Sequence, residues 1–276
     1  MITFYGTCFS IFLNISEKLK LGTKITENKL KIFKNEVIIY IMKTKVLLAT
    51  LIFVCAIFAN KAKAENEQRN VPAFSEISFR ISGTIHLIQG NKQSVEIVAQ
   101  SSTLEDIITE VKGRQLIIRL PVRNIFTQNY NSGKIDIYIT VPEVQVLSVS
   151  GSGNIIAEEK ISSRIIDLAV SGSGNIVLND LDAERVKTAI SGSGYVMING
   201  NGIADELIVA ISGSGNVKAE SFEAKNLNVS IAGSGNCSAV SNGSLKISIF
   251  GSGNVYYRGN PSLETSVTGS GKISKM

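Results

Sequence analysis

The chain has no tryptophan, one histidine and three cysteines in 276 residues. These shortages exclude several chemistries. His86 is the only histidine, and no serine stands beside it as part of a repeated pattern, so a Ser-His-Asp arrangement has no base to draw on. It alternates outward between Ile85 and Leu87 and reads as an exposed strand residue. Cys8 and Cys55 fall in the leader described below, leaving Cys237 alone, with no partner for a disulfide. One His and one Cys also fall short of a conventional zinc site, and the Asp-bearing nonapeptide of calcium-binding β-rolls is missing. No cofactor is expected.

Excess positive charge is missing too, once the chain is divided. The formal net charge is +5, but residues 1–64 hold ten Lys and no Arg against three Glu, a net of +7. Residues 65–276 therefore carry 18 basic and 20 acidic side chains, a net of −2. Without a Lys/Arg stripe or clustered aromatics, this body gives no support for nucleic-acid binding.

The leader has the pattern of a secretory signal over residues 42–64. Met42-Lys-Thr-Lys45 is a positive start, Val46 to Ala59 is a 14-residue apolar run, and Ala62-Lys-Ala64 is a small-x-small site before Glu65. The apolar run is shorter than the ~20 residues of a spanning helix. Val54 before Cys55 is not the small residue of a lipoprotein site. Cleavage between Ala64 and Glu65 is expected, with export to the periplasm, the cell surface or the medium of a bacterium. Residues 1–41 read as an upstream extension from a start codon placed too early, and residues 65–73 as a disordered lead-in.

What the chain has in abundance is one tripeptide. Gly-Ser-Gly begins at Gly151, Gly172, Gly192, Gly213, Gly233, Gly251 and Gly269, at intervals of 21, 20, 21, 20, 18 and 18 residues. So regular a period marks a repeat architecture whose units bury their apolar faces on one another. Apolar and small polar residues alternate around each copy, as in Leu168-Ala-Val-Ser-Gly-Ser-Gly-Asn-Ile176, which indicates strands with one buried face. Leu168, Val170, Ile176 and Leu178 share the inward parity, and Gly172 and Gly174 fall on it, so the tripeptide reads as a tight corner. Cys237 occupies the inward position held elsewhere by Ile155, Ile176, Val196, Val217, Val255 and Ile273, a small core hydrophobe. Twenty residues at about 3.3 Å each give a closed path of roughly 60 Å, the perimeter of a β-helix coil. The fold class is therefore all-β: a right-handed single-stranded parallel β-helix with coils of ~20 residues.

The β-helix is expected over residues 74–276, with irregular N-terminal coils at 74–142 and regular repeats at 143–276. Leu104 to Val111 has apolar residues at helical spacing and reads as a short helix or turn; residues 122–133 read as a polar loop.

Phe74, Ile77, Ser82 and Gly83 at the opening, the Leu116–Ile118 strand, the Val141-Pro142 hinge and the serial Gly-Ser-Gly-Asn turns together resemble the bacterial family called putative auto-transporter adhesin, head GIN domain. The resemblance spans about residues 71–274 and implies a right-handed parallel β-helix in the cell envelope; "adhesin" in the family's name is an inference about its role. In contrast to a true autotransporter, no membrane barrel of ~10-residue amphipathic strands is expected to follow the repeats.

Outward residues form rows. Ser152, Ser173, Ser193, Ser214, Ser234, Ser252 and Ser270 make one, and Asn154, Asn175, Asn216, Asn236 and Asn254 another. Two readings stand: a polar face for a glycan or envelope protein, centred on Ser152, Asn154, Ser173, Asn175, Ser214, Asn216, Ser234 and Asn236, or a structural ladder that keeps the corners in register. The ladder is favoured. A phosphate cradle is excluded, since each turn runs into a strand where a helix would be needed. Acidic residues at Glu158, Glu159, Asp180, Asp182, Asp205, Glu220 and Glu223 raise the alternative of a carbohydrate-active enzyme, a polysaccharide lyase or glycosidase, which needs carboxylates convergent across a cleft. A solvated row of turns accounts for them equally. The expected function is a non-catalytic envelope interaction or structural module.

Overall fold

The structure, a computed structural model, describes residues 38–45, 48, 50, 64–121, 133–200 and 202–276. It divides into two units, Met1–Ala62 and Lys63–Met276. In the first, residues 38–45 are helical and exposed; the rest of the upstream extension and nearly all of the signal segment lie outside the described residues, as does the loop expected at 122–133 up to residue 132.

The second unit is a parallel β-helix of about six turns. Its regular coils are long bent strands, Asn154–Gly172, Asn175–Gly192, Asn216–Gly233 and Asn236–Gly251, each paired parallel to a neighbouring coil. The first glycines of the triplets stack without a break, Gly151 on Gly172, Gly192, Gly213, Gly233, Gly251 and Gly269 in turn. All seven have φ between +112° and +132°, a conformation open to glycine and strained for other residues. The corners are tied to one another through these glycine carbonyls: that of Gly151 takes the N–H groups of Ser173 at 2.9 Å and Gly174 at 2.8 Å, those of Gly172, Gly213, Gly233 and Gly251 are shared in the same way, and that of Gly192 takes Ser214 at 2.9 Å.

The inward parity is the one the alternation predicts. Leu168, Ile190, Ile211, Ile231 and Ile249 are all buried, and Cys237 lies fully inside, its thiol pushed up to about 12 by desolvation. Thr188 is an intruder in this interior. It stacks between Leu168 and Val209, fully buried, and its hydroxyl has no hydrogen-bond partner. Thr188→Val keeps the shape and removes the desolvated hydroxyl, so it is expected to raise unfolding stability by about 1 kcal/mol in denaturant titrations. No change or a loss would show that the hydroxyl is satisfied in solution.

The N-terminal part departs from simple coils. Glu76–Phe79 pairs parallel with both Val146–Gly151 and Gln115–Arg119, and Thr84–Gln89 with both Asp136–Val141 and Asn154–Gly172. The coil laid down first is thus sandwiched, and the later strands Gln115–Arg119 and Asp136–Val141 lie outside it. Ser94–Gln100 then pairs antiparallel with Asp136–Val141, which closes this end of the parallel ladder.

Two local expectations are corrected here. The lead-in at 65–73 is not disordered throughout: Ala64–Gln68 is a strand, antiparallel to Ser94–Gln100, with the amides of Asn66 and Gln68 on the Glu96 carboxylate at 2.9 and 3.0 Å. Its polar side chains need no core, because the pairing uses backbone groups on an otherwise free edge. The short helix or turn expected at 104–111 is confined to a helix at Ser101–Leu104 and a turn at 105–106, and Ile108–Lys112 is a strand in a hairpin with Gln115–Arg119. Gly113 at φ +63° makes the tight turn, and the β-branched Ile108, Thr109 and Val111 favour the pleated strand.

Candidate functional site

The eight residues considered as a binding face split into two kinds. Ser152, Ser173, Ser214 and Ser234 project from the corner and are exposed, with Ser82 extending the row at 3.0 Å from the Ser152 hydroxyl. Asn154, Asn175, Asn216 and Asn236 are half-buried, and their amides bond along the solenoid axis. Asn175 Nδ2 donates to Asn154 Oδ1 at 2.7 Å, Asn236 to Asn216 at 2.8 Å and Asn254 to Asn236 at 2.9 Å. At Tyr195 and Lys272, which interrupt the row, the backbone N–H takes the place of the amide, on Asn175 at 3.1 Å and Asn254 at 3.2 Å. The asparagine capacity is spent on register, and the exposed polar edge is serine.

Next to that edge, on the sheet leading into the corner, the outward rows consist of small side chains. Ser148, Ala169, Ala189 and Ala210 stand in one row and Ser171, Ser191 and Ser212 in the next, which leaves an open groove of about 460 Å³ along the axis. The missing bulk is what makes the groove. Alternation revealed these residues as outward-facing, but nothing in the sequence indicated that their smallness adds up to a concavity.

Three of the seven acidic residues are engaged sideways by a neighbouring coil. Asp182 is paired with Lys160 at 2.9 Å, Asp205 with Lys225 at 2.6 Å, and Glu223 accepts from Asn242 at 2.9 Å, each partner sitting one coil away. The carboxylates hold the Lys160 and Lys225 ammoniums charged, raising both pKa values, first through the hydrogen bond and then through charge. Among the described residues no group of three or more His, Cys, Asp or Glu could hold a metal ion.

His86 is not simply exposed, as the alternation suggested. It is half-buried and stacks on Tyr138 with ring centroids 4.9 Å apart, its Nε2 3.6 Å from Asp136, which Lys134 holds at 2.9 Å. The partners come from a strand about fifty residues away through the Thr84–Asp136 register, which no local pattern could announce.

A family model for the putative auto-transporter adhesin, head GIN domain, matches residues 73–261, most of the solenoid. The chain belongs to this family. The head GIN domain here is similar to the crystal structure of a putative adhesin from Bacteroides fragilis, with 23% identity over 78% of this chain and 97% of that one, and a TM-score of 0.71. It is similar to a putative lipid binding protein from Parabacteroides distasonis, at 23% identity, 78% and 97% coverage and a TM-score of 0.65. A putative adhesin from the same species matches at 22% identity, 78% and 98% coverage and a TM-score of 0.65. At these identities the likeness carries the fold. No curated protein matches the chain. No helix among the described residues of the head GIN domain is long and apolar enough to cross a membrane.

Proposed function

We propose that this chain is an exported, non-catalytic binding module of the cell envelope, and that the serine edge with its adjoining groove is the ligand face. The observation that carries this reading is the repetition: exposed hydroxyls recur once per coil, about 4.8 Å apart along the axis, beside a groove that runs the same way. A ligand with polar groups at regular intervals, such as a glycan strand, suits that spacing better than a compact metabolite. The lateral pairing of Asp182 and Asp205 with lysines supports a non-catalytic role over a lyase or glycosidase. Export rests on the signal pattern ending at Ala64, with Glu65 as the new N-terminus, and N-terminal sequencing of the exported form checks it.

The test is the quadruple replacement of Ser173, Asn175, Ser214 and Asn216 by Ala, compared with replacement of Ser173 and Ser214 alone, against a glycan array. The serine pair is expected to lose about tenfold or more in binding with little change in melting, since exposed hydroxyls contribute little to folding. The quadruple variant is expected to lose a further 1–3 kcal/mol or so of stability, because ladder bonds between half-buried amides go with it. Full binding by the serine pair would remove this edge as the site.

A further inference from the structure

The two ends of the solenoid are finished differently. At the N-terminal end Ser94–Gln100 runs antiparallel to the last parallel strand, and the polar Ala64–Gln68 runs antiparallel to Ser94–Gln100 in turn, so this end is finished by a polar strand. At the other end Ser262–Gly269 pairs with Asn236–Gly251 on one side, and all eight of its residues are exposed. Leu263, Thr265 and Val267 nevertheless continue the interior rows of Leu245, Ile247 and Ile249. Leu263 is 47% and Val267 42% exposed, against 1% for Leu245 and Ile249. The strand has a single charge, Glu264, already tied to Lys246 at 2.7 Å, and no proline within it. It carries none of the usual guards against strand addition, whereas Lys272–Lys275 beside it has a lysine at each end.

We propose that this rim is a docking surface for a second copy of the chain, joined tail to tail by antiparallel pairing of Ser262–Gly269 about Thr265. The polar Ala64–Gln68 strand at the N-terminal end has no apolar row to set against Leu263 and Val267, whereas a twofold pair lays one apolar rim on another. The strand is self-complementary in this register. With Thr265 on the axis, Leu263 meets Val267 of the second copy and Glu264 meets Ser266, so that interior parity is kept and no like charges face each other. An axis between Thr265 and Ser266 would set inward Leu263 against outward Thr268, and a one-residue slip of this kind exchanges the faces. An axis on Glu264 would oppose two carboxylates, and one on Ser266 would set Leu263 against Gly269. Asn254–Arg258 is already covered by Lys272–Lys275, so the open rim runs from Ser262 to Met276; its 15 residues fall below the roughly 20–30 residues per side of a standard interface. A reversible, concentration-dependent dimer follows.

Sedimentation of the exported chain through the micromolar range is expected to show monomer and dimer and no larger species. Thr265→Lys places two ammoniums on the axis and is expected to weaken the dimer by about tenfold or more. Thr265→Glu does the same, and mixing the two variants restores association as a heterodimer. Thr265→Cys is expected to cross-link to itself on mild oxidation; Leu263→Cys is not, except when mixed with Val267→Cys. Buried Cys237 stays silent in this assay. The substituted side chains are exposed, and unchanged melting of the monomeric variants verifies that the fold survives. A chain that stays monomeric throughout, a dimer indifferent to Thr265→Lys, or a ladder of higher oligomers would each overturn the proposal.

Discussion

Ile211→Asp is expected to leave the chain unfolded at neutral pH, while Ala210→Asp next to it folds. Ile211 is buried in the interior row between Ile190 and Ile231, and Ala210 is exposed on the opposite face of the same strand. The substitution removes an apolar contact worth about 2–3 kcal/mol and places an unpaired carboxylate where nothing can solvate it, at a further cost of several kcal/mol. A domain of this size has about 5–15 kcal/mol in all. Because the buried acid is easier to fold protonated, its folded-state pKa would lie above the unfolded value. The penalty is then full at neutral pH and shrinks as pH falls through that raised value toward the ordinary carboxylate range. Circular dichroism and protease sensitivity of the two variants give the answer, and the reverse result, with Ala210→Asp unfolded and Ile211→Asp folded, would mean that the interior and exterior parities have been exchanged.

Gly194→Ala is expected to cost about 3 kcal/mol, or roughly 6–12 °C in melting temperature, while Gly151→Ala costs about 1 kcal/mol. The two glycines serve different needs. A methyl group on Gly194 would run into the backbone carbonyl of Gly174 and lie 2.7 Å from Val170 Cγ1. Neither side can give way easily, since the carbonyl belongs to a corner clamped by the coils above and below. At Gly151 nothing lies within 4 Å of an added methyl, and only its φ of +112° resists substitution. Thermal denaturation of the two variants separates close approach from backbone conformation. If Gly151→Ala were the worse of the two, conformation would be the dominant constraint at the corners.

Legibility in the sequence follows the range of the interactions. The corners, the parity of Leu168 and Ile211 and the interior place of Cys237 could all be read because a stacked repeat states the same local fact seven times. The N-terminal closure could not. Whether Ser94–Gln100 runs parallel or antiparallel depends on which edge is free when it arrives, and that edge belongs to Asp136–Val141, about forty residues later. The strand at Ala64–Gln68 was invisible for the same reason: its residues are polar, and only a vacant edge makes them a strand. Apolar spacing around Leu104 suggested a short helix or turn running to Val111 because Leu104 and Ile107 are both buried, yet they are buried from a helical turn and the loop after it, and a strand follows. As for the candidate site, the serine row was legible and the groove beside it was not, since a concavity is made by what side chains lack.

Not every coil has the same length, and the difference is confined to one flank. The pairing slips between Leu178 and Asp180 and again between Ala219 and Glu223, while the glycine corners stay aligned through coils of 21, 20 and 18 residues. Residues can therefore be gained or lost at the slipping flank without disturbing the corner. A whole coil can be added or removed with every glycine still landing on a glycine. The molecule is in this sense a ruler graduated in coils: its reach changes in steps of about 4.8 Å, and each step adds one more copy of the same edge to whatever it meets.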